Sequence, residues 1–174
     1  MVVRLKITTD KYESVINGTS AEEFPIMPNI NDGVSWDIPA RVFKKGLQQI
    51  TLAASSDDSR PVLTGVYIHR HQGDVFMVAT DSYSLAQRKL CKSSQQIDVL
   101  VPATALHDLL RIIGDGEEEV QVTHDEQQIL FTASDVALVA RLIDGKYPDY
   151  RKLIPASFET TAKLKRSDFR NITK

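Results

Sequence analysis

Residues Ile97 to Gly114 read IDVLVPATALHDLLRIIG, and this stretch decides the predicted fold. The apolar residues up to Val101 predict a strand. Pro102 then opens a helix that runs through Ile113, because proline favours the first turn of a helix and the following glycine favours its end. One face of this helix is apolar, and it carries Ala105, Leu106, Leu109, Leu110 and Ile113.

The same order of elements occurs earlier in the chain. A short strand over Val34 to Ile38 precedes Pro39, which opens a helix predicted to reach about Ala54. Short runs rich in β-branched residues predict three strands after each helix. They cover Val62–Ile68, Val75–Thr80 and Ser84–Leu90 in the first unit, and Glu119–Thr123, Gln128–Ala133 and Val136–Ile143 in the second. The sequence therefore predicts an α+β fold, with two strand-helix-three-strand units and two helices packed on antiparallel sheets.

Both ends of the chain indicate edges of further domains. Alternating residues over Val2–Ile7 predict a half-buried strand, with a turn over Asp10 to Tyr12 and a second strand at Ser14–Ile16. The breakers between Glu22 and Gly33 predict a linker. Near the other end, Thr160–Leu164 is predicted as a strand, with Ser167 as the N-cap of a short helix. The predicted domains are therefore 1–33, the edge of a first domain with its linker, 34–155, a complete middle domain, and 156–174, the start of a third.

The composition gives no bulk signal for nucleic acid or membrane. The 174 residues include 21 basic and 23 acidic residues, so any DNA contact must be local. Cys91 is the single cysteine and cannot form an internal disulfide, and no cleavable leader is recognised. No apolar stretch approaches the roughly 18 residues needed to cross a bilayer. We therefore expect a cytoplasmic protein without membrane contact.

The sequence favours no enzyme, cofactor or metal site. The four histidines are not accompanied by zinc-ligand spacing, and His69 and His71 are expected at a solvated strand end. No phosphate-binding glycine loop or nucleophile motif occurs. A small hydrolase using Asp81 with a nearby histidine is the remote enzymatic alternative.

Several segments resemble the middle domain of the bacterial DNA sliding clamp family, the beta subunit of DNA polymerase III. In family order, these are Arg60–Val66, Val78–Asp81 followed by Leu85-Ala86, Val101-Pro102, and Asp144–Pro155. The resemblance implies the DNA-clamp fold and a non-enzymatic processivity factor. Complete members have three such domains and close into a homodimeric ring around double-stranded DNA. Their partners include the replicative polymerase, the clamp loader and repair polymerases. The alternative is a clamp-fold protein-interaction module that does not encircle DNA.

The resemblance also implies the middle-domain half of a pocket for partner peptides, while the family's third domain supplies the other half. By motif position this half comprises Leu63, Thr80, Ser82, Tyr83, Ser84, Leu85, Pro148, Lys152 and Leu153. Its leucines and proline suit an apolar floor, while its hydroxyls and lysine can fix polar atoms of a peptide. The family usually has glycine, histidine and arginine at Ser82, Tyr83 and Ser84, so partner preference is expected to differ here. The alternative is that the three leucines are core residues and that Pro148 ends a strand.

The polar faces of the two helices are the expected DNA-facing surface, since the family presents basic residues there. In this chain they carry Arg41, Lys44, Lys45 and Arg111. Contacts from these side chains to phosphates would be sequence-independent and salt-sensitive. An ordinary solvated helix face is the alternative for each of them.

Overall fold

The computed structural model describes residues 3–24, 30, 32–114, 116 and 119–173. The chain divides into two compact units, Met1–Asp144 and Gly145–Lys174. Several residues of the predicted linker lie outside the described residues: Pro25, Met27, Pro28, Asn29 and Asn31. The domain boundaries at 33/34 and 155/156 stay predictions.

The first unit contains the two predicted repeats. Its first repeat has β3 (Val34–Pro39), α1 (Ala40–Ile50), β4 (Gly65–His71), β5 (Asp74–Thr80) and β6 (Leu85–Lys92). The second repeat has β7 (Asp98–Pro102), α2 (Ala103–Ile112), β8 (Glu119–His124), β9 (Gln128–Ala133) and β10 (Val136–Arg141). These elements agree with the predicted strand-helix-three-strand order to within a few residues.

The repeats exchange their first strands. One antiparallel sheet has the order β10-β9-β8-β3, and the other has the order β6-β5-β4-β7. In register, Trp36 of β3 lies opposite Val122 of β8, and Val66 of β4 lies opposite Val101 of β7. Each sheet therefore takes three strands from one repeat and one from the other, so neither repeat can complete its sheet alone.

A single core lies between the helices and the two sheets. Phe43 of α1 is fully buried, and its ring lies 5.8 Å from the ring of Phe131 on β9. α1 approaches β6 closely at Gly46, where an added Cβ would lie 2.9 Å from Leu90 Cδ2. The two-helix, two-sheet arrangement predicted from the sequence is confirmed.

The predicted ends of two elements are wrong. α1 ends at Ile50 rather than near Ala54, because the chain tightens into a 3₁₀ turn over Thr51–Ala53. The Thr51 hydroxyl donates a hydrogen bond of 2.8 Å to the Leu47 carbonyl at this point. The strand predicted to begin at Val62 instead begins at Gly65, after a 3₁₀ turn over Pro61–Leu63.

A hairpin precedes the repeats. It consists of β1 (Val3–Thr9) and β2 (Tyr12–Gly18), so Tyr12 belongs to a strand rather than to the turn. The predicted half-burial of the first strand is wrong, since all its residues are exposed. A 3₁₀ turn over Ala21–Glu23 follows the hairpin.

The second unit has a 3₁₀ turn over Tyr150–Leu153 and one helix, α3 (Arg166–Ile172). The strand predicted over Thr160–Leu164 is absent, and no described strand pairs with this segment. An extended segment needs such a neighbour for its backbone hydrogen bonds. Ser167 lies inside α3 rather than at its N-cap, which is Lys165. Among the described residues, no helix has the length and apolar character needed to span a membrane.

Candidate functional site

The turn between β5 and β6 and the two strand residues that flank it hold five of the predicted site residues in one compact structure. Thr80 is buried, and its Oγ1 donates to the Ser84 carbonyl at 2.7 Å and accepts from the Ser82 N–H at 3.1 Å. The Asp81 carboxylate Oδ1 accepts from the N–H groups of Tyr83 at 2.8 Å and of Ser84 at 2.6 Å. These bonds satisfy the N–H groups of Ser82, Tyr83 and Ser84 and the carbonyl of Ser84 within the turn. The turn is therefore pre-organised, which lowers the entropic cost of binding a partner.

The same bonds argue against Asp81 as a catalytic base. Hydrogen bonds from the N–H groups of Ser84 and Tyr83, with a smaller contribution from the Arg60 charge, lower the pKa of Asp81 below its usual value. An effective general base needs a pKa near the working pH, and this carboxylate has the opposite shift. The geometry assigns Asp81 to stabilisation of the turn and disfavours the hydrolase alternative.

Ser82 adopts a backbone conformation that favours glycine. Its φ is 79°, in the left-handed region that a residue with a Cβ enters at a cost. This geometry favours the glycine that the resemblance implies at this position. The serine adds a contact that glycine lacks, because Arg60 Nη1 donates to Ser82 Oγ at 3.1 Å.

Arg60 is a residue of this region that was not predicted from the sequence. Its Nη2 also lies 3.7 Å from Asp57 Oδ2, so the guanidinium bridges the loop before β4 and the turn before β6. The Arg60 carbonyl accepts a 2.9 Å bond from the Leu63 N–H. The available signal was the position of Arg60 at the start of a recognised segment, but its contact with Ser82 spans 22 residues and could not be read from the sequence.

Three apolar side chains of the predicted half-pocket differ in exposure. Leu63 is 5% exposed and lies outside the main core cluster, while Leu85 is half-buried opposite Thr80. Tyr83 is 94% exposed at the tip of the turn. Arg60 links Leu63 to the β5–β6 turn, because its carbonyl accepts from the Leu63 N–H and its guanidinium donates to Ser82. This region of the first unit therefore has a buried leucine and a projecting aromatic ring.

The remaining predicted pocket residues lie in the second unit. Leu153 is 62% exposed at the end of the 3₁₀ turn, so the alternative that it is a core residue is wrong. Pro148 is exposed and does not end a strand, since β10 ends at Arg141. The Lys152 ammonium lies 3.1 Å from Asp149 Oδ2.

The predicted DNA-facing residues fall into two classes. Arg41 and Lys45 are exposed on α1. Lys44 is half-buried, and its Nζ donates at 3.0 Å to the carbonyl of Ile113, at the C-terminal end of α2. Arg111 is exposed and lies 3.6 Å from Asp108. Arg41 and Lys45 therefore present the basic surface, whereas Lys44 joins the two helices and Arg111 is paired.

The histidine and cysteine environments do not suggest metal binding. No three His, Cys, Asp or Glu side chains in the described part of the chain are placed to hold a metal ion. The expectation that His69 is solvated is wrong, since it is buried and stacked between Tyr67 and Phe76. Burial, with a smaller effect of the Asp74 charge, raises the pKa of the Cys91 thiol and keeps it protonated.

The comparisons with known proteins all indicate the same family. Residues 37–149 match the family model described as DNA polymerase III beta subunit, central domain. The chain is 34% identical over 166 residues to the beta sliding clamp of Bacillus subtilis and 33% identical over 162 residues to that of Streptococcus pneumoniae. These alignments cover 94% and 91% of this chain but 44% and 43% of the relatives, so the chain spans less than half of their length.

Solved structures agree with these relatives. The crystal structure of the DNA polymerase sliding clamp from Bacillus subtilis is similar with a TM-score of 0.76 and 35% identity, over 88% of this chain and 41% of that one. The DNA polymerase III beta chain from Streptococcus pneumoniae has a TM-score of 0.76 and 33% identity, over 89% and 42% of the two chains.

Proposed function

The chain belongs to the bacterial sliding clamp family, the beta subunit of DNA polymerase III, and from this membership we propose that it is the central part of a processivity factor. The observation that carries this proposal is the two-helix, two-sheet unit, in which the first helix exposes Arg41 and Lys45. The factor acts as a non-catalytic accessory subunit of the bacterial replicase in the cytoplasm. At the full length of the relatives, it closes as a head-to-tail homodimer of three-domain chains around double-stranded DNA.

Partner-peptide binding is proposed for the region of the β5–β6 turn, and Pro148, Lys152 and Leu153 of the second unit are assigned to it by motif position alone. The replicative polymerase, the clamp loader and repair polymerases bind there through short apolar peptides. The internal hydrogen bonds of the turn and the exposed side chains of Tyr83 and Leu153 support this assignment. Burial of each apolar peptide side chain stabilises the complex by roughly 1.5–3 kcal/mol, so a short peptide is expected to bind weakly.

Peptide titration tests this site. A clamp-binding peptide ending in Leu-Phe is titrated against the wild-type chain and against Leu153→Asp, with binding followed by NMR chemical shifts. We expect weak binding by the wild type and at least tenfold loss in the variant, because a carboxylate next to an apolar anchor loses roughly 1.4 kcal/mol or more.

Leu52→Asp is the matched control. Leu52 is an exposed leucine, 81% accessible, in the 3₁₀ turn after α1, so its substitution introduces the same charge outside the proposed site. It should leave the affinity unchanged. Leu63→Asp is less informative, because Leu63 is buried and a charge there disturbs the fold itself. Absence of binding by the wild type at millimolar peptide would contradict the half-pocket in this chain.

The second candidate is a clamp-fold interaction module that does not encircle DNA. It is favoured by the contacts of Lys44 with Ile113 and of Arg111 with Asp108, because they divert two of the predicted DNA-facing cations. Arg41 and Lys45 retain the exposed positions that the processivity factor requires. Salt-sensitive binding of duplex DNA by the α1 face distinguishes the two candidates.

A further inference from the structure

Two adjacent basic residues of β6 lie on opposite faces of their sheet. Arg88 lies opposite Met77, which is fully buried beneath the helices, so Arg88 is on the helix-facing side. Lys89 lies opposite Phe76 on the other face, and its Nζ lies 2.7 Å from Asp74 Oδ2. Only Arg88 can therefore contribute its charge to the helix layer.

The side chain of Arg88 is fixed against α1. Its aliphatic stem packs at Gly46, where an added Cβ would lie 3.6 Å from Arg88 Cδ. Its Nη1 donates a hydrogen bond to Oε1 of Gln49. The absence of a side chain at position 46 thus lets the arginine cross the flank of the helix and reach its exposed face.

This contact extends a row of polar residues on α1. Arg41, Lys45 and Gln49 follow one another at intervals of four and are all exposed, so they lie along one face of the helix. The first two are cations and the third is neutral. Arg88 places a guanidinium beside the neutral member, where the helix itself supplies no charge.

The charge of Arg88 has no acidic partner among the residues that the structure describes. Its bonded partner is a neutral amide, and among the ion pairs of the described residues none includes Arg88. A guanidinium stays protonated at any physiological pH, and its planar set of donors suits phosphate oxygens. A guanidinium already held in position also loses less side-chain entropy on binding than a free lysine.

We infer that Arg88 is a further phosphate-facing cation of the DNA surface, positioned by Gln49 beside Arg41 and Lys45. This inference rests on the proposed function, because it assigns the partner of the exposed α1 face as the backbone of a nucleic-acid duplex. Contacts of this kind carry no base specificity, as a sliding protein requires.

The test is the salt dependence of duplex binding. Fluorescence anisotropy with a short labelled DNA duplex gives the affinity of the wild-type chain, Arg88→Gln, Arg88→Lys and Lys89→Gln over a range of NaCl concentrations. The slope of log K against log salt should fall in magnitude by about 0.9 in Arg88→Gln, as expected for one lost phosphate contact. Arg88→Lys keeps the charge and should restore most of the slope.

Lys89→Gln is the matched control, since it removes the same charge from the adjacent residue on the opposite face of the sheet. It should leave the slope unchanged, and circular dichroism should show that all variants are folded. Equal slopes for the wild type and Arg88→Gln, or an equal loss in Lys89→Gln, would overturn the role of Arg88 while leaving the proposed surface in place. A wild-type chain that binds no duplex at low salt would overturn the DNA surface itself, and the inference with it.

Discussion

The two repeats of the first unit share one topology but differ in what their helices expose. Aligning the helices at Ala40 and Ala103 places Phe43 against Leu106, Lys44 against His107, Lys45 against Asp108 and Gly46 against Leu109. Both buried positions are apolar, so the core role is shared. The other two positions hold the half-buried Lys44 and the exposed Lys45 in the first repeat, but the exposed His107 and Asp108 in the second. The repeated architecture therefore specifies the scaffold, while the exposed pair Arg41 and Lys45 of the first repeat has no basic counterpart at the aligned positions Thr104 and Asp108.

The turns between the last two strands of each repeat differ in the same way. The second repeat joins β9 to β10 through Ser134 and Asp135 alone. The first repeat uses residues 81–84 between β5 and β6, and the Asp81 carboxylate organises this longer turn. Two residues suffice to connect the strands, so the additional length is not needed for the fold. Both proposed binding surfaces therefore use features of the first repeat that the fold does not need: the exposed basic residues of α1 and the longer β5–β6 turn.

The largest expected effect tests whether the repeats are one folding unit. Phe43→Ala removes a fully buried ring of the first repeat that contacts Phe131 of the second. We expect a loss of about 3–5 kcal/mol in the free energy of unfolding, measured by urea denaturation. The transition should remain single for fluorescence and circular dichroism, because each sheet contains strands from both repeats.

Leu52→Ala is the control for Phe43→Ala. Its side chain is 81% exposed, so its removal should change the stability by no more than about 0.5 kcal/mol. A variant Phe43→Ala that unfolds in two separate steps would show that the repeats are independent, contrary to the exchanged strands.

The features predicted correctly from the sequence are those that depend on local pattern. The apolar spacing in α2 and the prolines before both helices determined the element order, because helix periodicity and proline geometry act within a few residues. The exchange of β3 and β7 between sheets was not predicted, since strand pairing links residues such as Trp36 and Val122 that are distant in sequence. The strand predicted at 160–164 failed for the same reason, because alternation alone supplies no neighbouring strand.

The candidate site shows the same division. The residues of the β5–β6 turn were reached through family motifs, and the structure explains their geometry through local bonds of Asp81. Arg60 and Arg88 were missed, because their contacts with Ser82 and Gln49 exist only after distant segments meet. The contact of Lys44 with Ile113 likewise spans 69 residues, and no helix-face argument could reveal it.

Lys44 and Lys45, the two lysines that distinguish α1 from α2, should differ in how much their substitution lowers the stability, and this difference is of intermediate size. Lys44→Gln removes the charged donor to the Ile113 carbonyl at the end of α2, so we expect a loss of about 1 kcal/mol in stability. Lys45 is exposed, and Lys45→Gln should change stability by less than about 0.5 kcal/mol while weakening duplex binding. Urea denaturation and anisotropy measure the two properties. Equal stability losses in both variants would show that Lys44 does not join the helices.

The smallest expected effect compares the two serines with positive φ, one in each repeat. Ser82 has φ 79°, beyond the centre of the left-handed region, whereas Ser134 has φ 49°, close to it. Ser82→Gly relieves roughly 1 kcal/mol of backbone strain, but glycine also makes the unfolded chain more flexible, and the exposed bond from Arg60 is lost. We expect a net gain of about 0.5 kcal/mol in thermal or urea denaturation. Ser134→Gly should gain less, because less strain is present there. A loss of stability in Ser82→Gly would instead show that the Arg60 contact outweighs the strain, and that the serine helps to hold the β5–β6 turn in place.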